Sequence, residues 1–123
     1  MSIAQEYKVI VDEKGIIRWY QNGERHRLDG PAVEYSNGYK AWCQNDQYHR
    51  IDGPAIEYPN GDKIWFLNGE RHRLNGPAVE YANGGVEYWI NGKKVDSLPP
   101  PVKEVTIAEL EKMFNCLVKV VKD

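Results

Sequence analysis

Short apolar runs alternate with polar turn signals along this chain, and the alternation repeats every 23 residues. Gly15, Gly38, Gly61 and Gly84 are each 23 apart, as are Asn22, Asn45, Asn68 and Asn91, and as are Pro31, Pro54 and Pro77. Three copies read almost alike: NGERHRLDGPAVEYSNG from Asn22, NDQYHRIDGPAIEYPNG from Asn45 and NGERHRLNGPAVEYANG from Asn68. A fixed period of this length predicts a stack of small units, each burying its apolar side against its neighbours. Within one copy, Ala55-Ile56-Glu57-Tyr58 is a β-prone run. Asn60-Gly61 follows as a hairpin turn signal, because both residues tolerate positive φ. Lys63 to Leu67 is the next strand, closed by Asn68-Gly69. His72-Arg73-Leu74-Asn75-Gly76-Pro77 then leads onward, and its Gly-Pro allows no helix.

The pattern starts before the first full copy. Val9-Ile10-Val11, the Lys14-Gly15 turn and Ile16 to Tyr20 hold the same phases of the 23-residue frame, and Val86 to Ile90 with Asn91-Gly92 make a closing half. The expected fold is mainly β, an antiparallel meander of stacked β-hairpin repeats with about eight short strands. Two registers fit the hairpins. A two-residue turn at Asn60-Gly61 pairs Ile56 with Trp65. A three-residue loop with a Gly bulge pairs Glu57 with Lys63, Ile56 with Ile64, and Glu34 with Lys40. The second is favoured because opposite charges and apolar residues both match across the strands.

The array is expected over residues 1–96, a Pro-rich linker over 97–104 and a C-terminal cap over 105–123. Leu98-Pro99-Pro100-Pro101 is stiff. Thr106-Ile107-Ala108-Glu109 reads as a capping box, with Val105 and Leu110 at the staple positions. Ile107, Leu110 and Phe114 then share one helical face. Cys116 to Val121 reads as a final strand. A short helix and a strand that pack on the array would cover part of one sheet face and an open edge.

Composition narrows the function classes. The net charge is −2 and the pI is near 5.9, so no global basic field draws in nucleic acid. Trp and Tyr (4 and 8) far outnumber Phe (2), which suits a sheet with one buried and one wet face. Cys43 and Cys116 make neither a disulfide framework nor a zinc pattern. No signal peptide and no apolar run of transmembrane length is visible, so the expected compartment is a reducing cytoplasm.

The residues Trp65-x-x-Asn68-Gly69-x-x-His72, Gly76, the aromatic strand and Asn83-Gly84 resemble the MORN repeat, whose units are also about 23 residues. The resemblance covers roughly Ile16 to Lys94. It implies an elongated, twisted or curved stack of β-hairpins. It also implies a role in protein–protein contact and assembly or in lipid binding. The chain departs from the family at His-Gly-x-Gly, which is His-Arg-x-Asp-Gly-Pro-Ala here, and it lacks the Tyr-x-Gly that follows the Asn-Gly turn. It is thus similar to degenerate MORN-like arrays of bacterial, phage and giant-virus proteins. That likeness would make it a phage accessory protein, acting against a host factor in the host cytoplasm.

His26, His49 and His72 are the sharpest chemical candidates, followed in each copy by Arg27, Arg50 and Arg73. Equivalent residues are two strands apart, roughly 9–10 Å. Zinc holds its nitrogens at about 2.0–2.1 Å, so three ladder histidines are not expected to share an ion. The arginines are expected to form a structural ladder with Asp29, Asp52 and the acidic row Glu34, Glu57 and Glu80. Trp19, Trp42 and Trp65 form a column read as packing, and Cys43 stands where Tyr20 and Phe66 stand, as a small packing residue. A catalytic centre is asymmetric, whereas this chain repeats itself, so no enzyme and no cofactor is expected. Specificity is expected where the repeat breaks, which makes Tyr48, Tyr88 and Trp89 the candidate partner-binding residues. The expected function is a non-enzymatic scaffold that binds a protein. The alternative is a small-ligand binder that captures a nucleotide on the ladder His26, Arg27, His49, Arg50, His72 and Arg73. Nucleic acid and membrane are not expected as partners; a homo-oligomer fits either reading.

Overall fold

The computed structural model describes residues 6–99 and Ile107. Nearly all of its regular structure is antiparallel β. Hairpins of two kinds alternate along the chain. The first kind has a three-residue loop. It joins β1 (Lys8–Val11) to β2 (Ile17–Gln21), β4 (Val33–Glu34) to β5 (Lys40–Ala41), β8 (Ile56–Glu57) to β9 (Lys63–Ile64), and β12 (Val79–Glu80) to β13 (Val86–Ile90). In the middle copy the N–H of Tyr58 donates to the carbonyl of Asp62 (2.9 Å) and that of Gly61 to the carbonyl of Tyr58 (3.0 Å). Gly61 sits at φ 101°, the left-handed bulge that this loop requires. The register is Ile56↔Ile64 and Glu57↔Lys63, and Glu34↔Lys40 in the preceding copy, the pairing that charge matching favours.

The second kind has a two-residue turn. It joins β2 to β3 (Glu24–Arg25), β6 (Cys43–Gln44) to β7 (Gln47–Tyr48), β10 (Phe66–Leu67) to β11 (Glu70–Arg71), and β13 to β14 (Lys93–Val95). Both turn residues have positive φ, 51° at Asn68 and 83° at Gly69, which defines a type I′ turn. These hairpins correct the expectation of about eight strands to fourteen among the described residues. Glu70 and Arg71, which lie between the expected turn at Asn68-Gly69 and the expected connector from His72, form a strand. A strand of two residues is too short to show alternation in a sequence.

The main sheet runs β1-β2-β4-β5-β8-β9-β12-β13-β14, with β3 alongside β2. Two-stranded ribbons β6-β7 and β10-β11 stand beside it. The run from Lys63 to Leu67, expected as one strand, is divided at Trp65 because its two halves serve different neighbours. The N–H of Trp65 donates to Ala78 (2.7 Å), and its carbonyl accepts from His72 (3.1 Å). Trp42 does the same between Ala55 (2.7 Å) and His49 (3.0 Å), and Trp19 between Ala32 (2.8 Å) and His26 (3.0 Å). The tryptophan of each copy is thus the junction between the two hairpin rows.

The core is thin and made of small residues: Ala32, Val33, Ala41, Cys43, Ala55, Ile56, Ala78 and Val79 are buried. Trp19, Tyr48 and Phe66 pack against its central cluster. Cys43 is fully buried, the packing role expected of it, and burial raises its thiol pKa. The expected linker and cap lie mostly outside the described residues, including the packing of Leu110 and Phe114. Ile107 is helical and 77% exposed. Among the described residues, no helix is long and apolar enough to cross a membrane.

Candidate functional site

The segment His-Arg-x-Asp/Asn-Gly-Pro-Ala builds the same structure three times. Its arginine is the hub. The guanidinium carbon of Arg50 lies over the Trp42 ring, 3.8 Å from the centroid; Arg27 covers Trp19 at 3.8 Å and Arg73 covers Trp65 at 3.9 Å. In its own plane the Arg50 guanidinium donates from Nε to Asp52 (3.1 Å), and from Nη1 to the carbonyl of Pro54 (3.0 Å) and to Glu57 (3.1 Å). Arg73 repeats this with Asn75, Pro77 and Glu80. Arg27 bonds Asp29 (3.0 Å) and Pro31 (3.3 Å), with Glu34 3.7 Å away. A planar fork that stacks and bonds at the same time is a property of arginine, not of lysine. The carboxyl of Asp29 is held below its usual pKa by the bond from Arg27.

The glycine of the motif has a spatial reason. A Cβ on Gly53 would lie 2.9 Å from the guanidinium carbon of Arg50; the distance is 2.8 Å for Gly30 and Arg27, and for Gly76 and Arg73. The loop closes around the arginine, and a side chain there would force the guanidinium to shift.

The histidine joins one copy to the next. The N–H of Asn45 donates to Nδ1 of His26 (3.1 Å), that of Asn68 to Nδ1 of His49 (2.9 Å), and that of Asn91 to Nδ1 of His72 (2.9 Å). Each imidazole therefore tethers the type I′ turn that begins 19 residues later. Nδ1 accepts in these bonds, so the proton of the neutral ring is on Nε2. His26 is buried, and His49 and His72 are half-buried. Among the described residues, no group of three His, Cys, Asp or Glu side chains converges as a metal cage would.

The residues at the breaks of the repeat occupy separate places. Tyr48 is half-buried, its ring 5.1 Å from that of Phe66. Trp89 is half-buried too; its indole N–H donates to Glu87 (2.9 Å), and Arg71 lies over its ring at 4.9 Å. The Glu87 carboxyl also accepts from the Tyr81 hydroxyl (2.9 Å), and these two bonds lower its pKa. Tyr88 is half-buried opposite Val95 in the β13–β14 pair. Asp46 replaces the glycine of the sister turns and remains at φ 63°. Its carboxylate accepts from the backbone N–H of Arg25 (2.7 Å) and from Arg25 Nε (3.3 Å). The backbone bond is the first cause of its lowered pKa.

One further row lies outside the residues expected to form a site. The residue between Arg and Asp/Asn is apolar in every copy, and it points outward: Leu28 is 55% exposed, Ile51 84% and Leu74 62%. Between these tips run two equivalent grooves. One is lined by Leu28, Trp42, His49 and Ile51, the other by Ile51, Trp65, His72 and Leu74. An apolar residue retained three times at the centre of a polar turn is the signal that could have found this row. His49, His72, Arg27, Arg50 and Arg73 line these grooves, with the histidine Nδ1 and the arginine Nε and Nη1 atoms already bonded within the fold. No family model matches this chain, and neither a curated protein nor a solved structure matches it.

Proposed function

We propose that this chain is a non-enzymatic, MORN-like β-repeat scaffold that binds a protein, through the outer row Leu28, Ile51 and Leu74. The observation that carries this reading is the exposure of Ile51 at 84% on a loop whose shape is set by Arg50 below it. Exposed aliphatic tips on rigid loops bury apolar area against a partner at little entropic cost. The regular spacing suits an extended segment that reaches both grooves. Nucleotide capture is less well supported. The guanidinium groups of Arg27, Arg50 and Arg73 already have acceptors in the fold and an aromatic face beneath them. A phosphate would compete with those partners for the same guanidinium groups.

The test is capture from a lysate of the organism that encodes the chain, or of its host. The triple variant Leu28→Ser, Ile51→Ser and Leu74→Ser is run beside the natural chain, with Tyr35→Ser as a control on the opposite hairpin row. A protein retained by the natural chain and the control but lost by the triple variant is the expected result. Equal capture by all three, or a nucleotide released on denaturing the purified protein, would overturn the proposal.

A further inference from the structure

We propose that the outer edge of β1 pairs antiparallel with the same edge of a second copy of this chain. Among the described residues β1 ends the sheet, and it is the most apolar exposed strand: Val9 is 45% exposed, Ile10 40% and Val11 61%. The alternation of the ladder shows which backbone groups point away from β2. The N–H of Asp12 donates to Ile16 (3.1 Å), and Trp19, opposite Val9, directs its own N–H to Ala32 on the far side. Residues 8, 10 and 12 therefore turn their backbone groups toward β2, and Val9 and Val11 turn theirs outward. Residues 8–11 contain no proline, and three of the four are β-branched and apolar. Folded proteins usually shield such an edge.

The edge is complementary to itself. With Ile10 on the two-fold axis, Val9 lies opposite the partner copy's Val11 and Val11 opposite its Val9. Both pairs can exchange N–H and carbonyl, for about four hydrogen bonds. The same register puts Lys8 opposite Asp12 of the second copy; that carboxylate already accepts from the Lys14 and Ile16 N–H groups and from Arg18, so Lys8 adds a second cation beside it at each end. The other end of the sheet does not offer this. Two of the three residues of β14 are Lys93 and Lys94, and a head-to-tail contact would bring them to Lys8. The charges thus favour a closed two-fold pair over an open filament.

The test uses the full chain in sedimentation velocity and hydrogen exchange. The expected result is a monomer–dimer equilibrium with Kd on the order of tens of micromolar, the weak range of a small interface. The Val9 and Val11 amides should gain protection with concentration. Val9→Pro removes an outward donor from each copy and should weaken the dimer about 30-fold. Because proline also perturbs β1 itself, Ile10→Cys in a Cys116→Ser background gives an independent readout. Cα atoms at the axis would be about 4.5 Å apart, within disulfide reach, so oxidation of that variant should yield a covalent dimer. A chain that stays monomeric overturns the proposal. Concentration-independent protection of Val9 and Val11 would then assign the edge to another segment of the same chain, such as residues 116–121. A dimer that survives Val9→Pro, and that the Ile10→Cys variant fails to cross-link, overturns it as well, because its interface is elsewhere.

Discussion

The guanidinium carbon of Arg50 sits 3.8 Å above the centroid of the Trp42 ring, and the chain folds back over it from Asp52 to Pro54. Arg50 should therefore be among the most sensitive positions in the molecule. Its side chain is 22% exposed and its bonds go to a carbonyl and two carboxylates. Arg50→Ala is expected to cost about 2–3 kcal/mol, the sum of one stacked cation and part-buried charged hydrogen bonds. Arg50→Lys should recover less than half, since a point charge cannot serve three acceptors in one plane. Urea unfolding measures both. A loss below about 0.5 kcal/mol for Arg50→Ala would place it with ordinary surface ion pairs.

Gly53 and Arg50 should be energetically coupled. Gly53→Ala places a methyl 2.9 Å from a guanidinium that is pinned on several sides. A cost of about 1–2 kcal/mol is expected, as for overpacking. In an Arg50→Ala background the same change should be close to neutral, because the obstructing group is gone. A double-mutant cycle reads this directly. Additive losses would show that the glycine is needed for its backbone rather than for space.

The neutral His49 ring should carry its proton on Nε2, since Nδ1 accepts from the Asn68 N–H at 2.9 Å. Long-range ¹H–¹⁵N correlation should report an unprotonated Nδ1. His49→Ala is expected to cost about 1 kcal/mol and to speed amide exchange at Asn68. Finding the proton on Nδ1 would contradict the tether.

Asp46 supplies a pH signature. Its folded pKa is lowered from 3.8, first by the Arg25 backbone N–H and then by the Arg25 side chain. A depressed carboxyl pKa means that the unfolded chain binds the proton more readily. The contribution is therefore fully present above about pH 3.8 and is lost as pH falls through the lower folded value. Asp46→Asn keeps a residue that tolerates positive φ but removes the charge. Thermal melts should show the variant less stable than the natural chain at about pH 6, with the gap closing as pH falls below 3.8. A gap unchanged across that range would mean that ionisation of Asp46 is irrelevant.

The period, the β class, the turn positions and the hairpin register are all legible in the chain before any folding is considered. These are local properties: Asn-Gly and Gly at fixed phase select turn types, and Glu34 facing Lys40 selects the pairing. The structural nature of the arginine ladder is legible for the same reason, because Arg, Asp and Glu recur together within eight residues of one another. Long-range packing sets the rest. That β6-β7 and β10-β11 form a second hairpin row depends on Trp42 and Trp65 each bonding two different neighbours, which no two-residue run can announce. That the histidines tether the next turn depends on contacts 19 residues away. The outward aim of Ile51 follows from the inward pull on Arg50, its neighbour in the chain. Alternation along a backbone assigns a side to each residue, but only the packing of the loop around its arginine shows which side faces water.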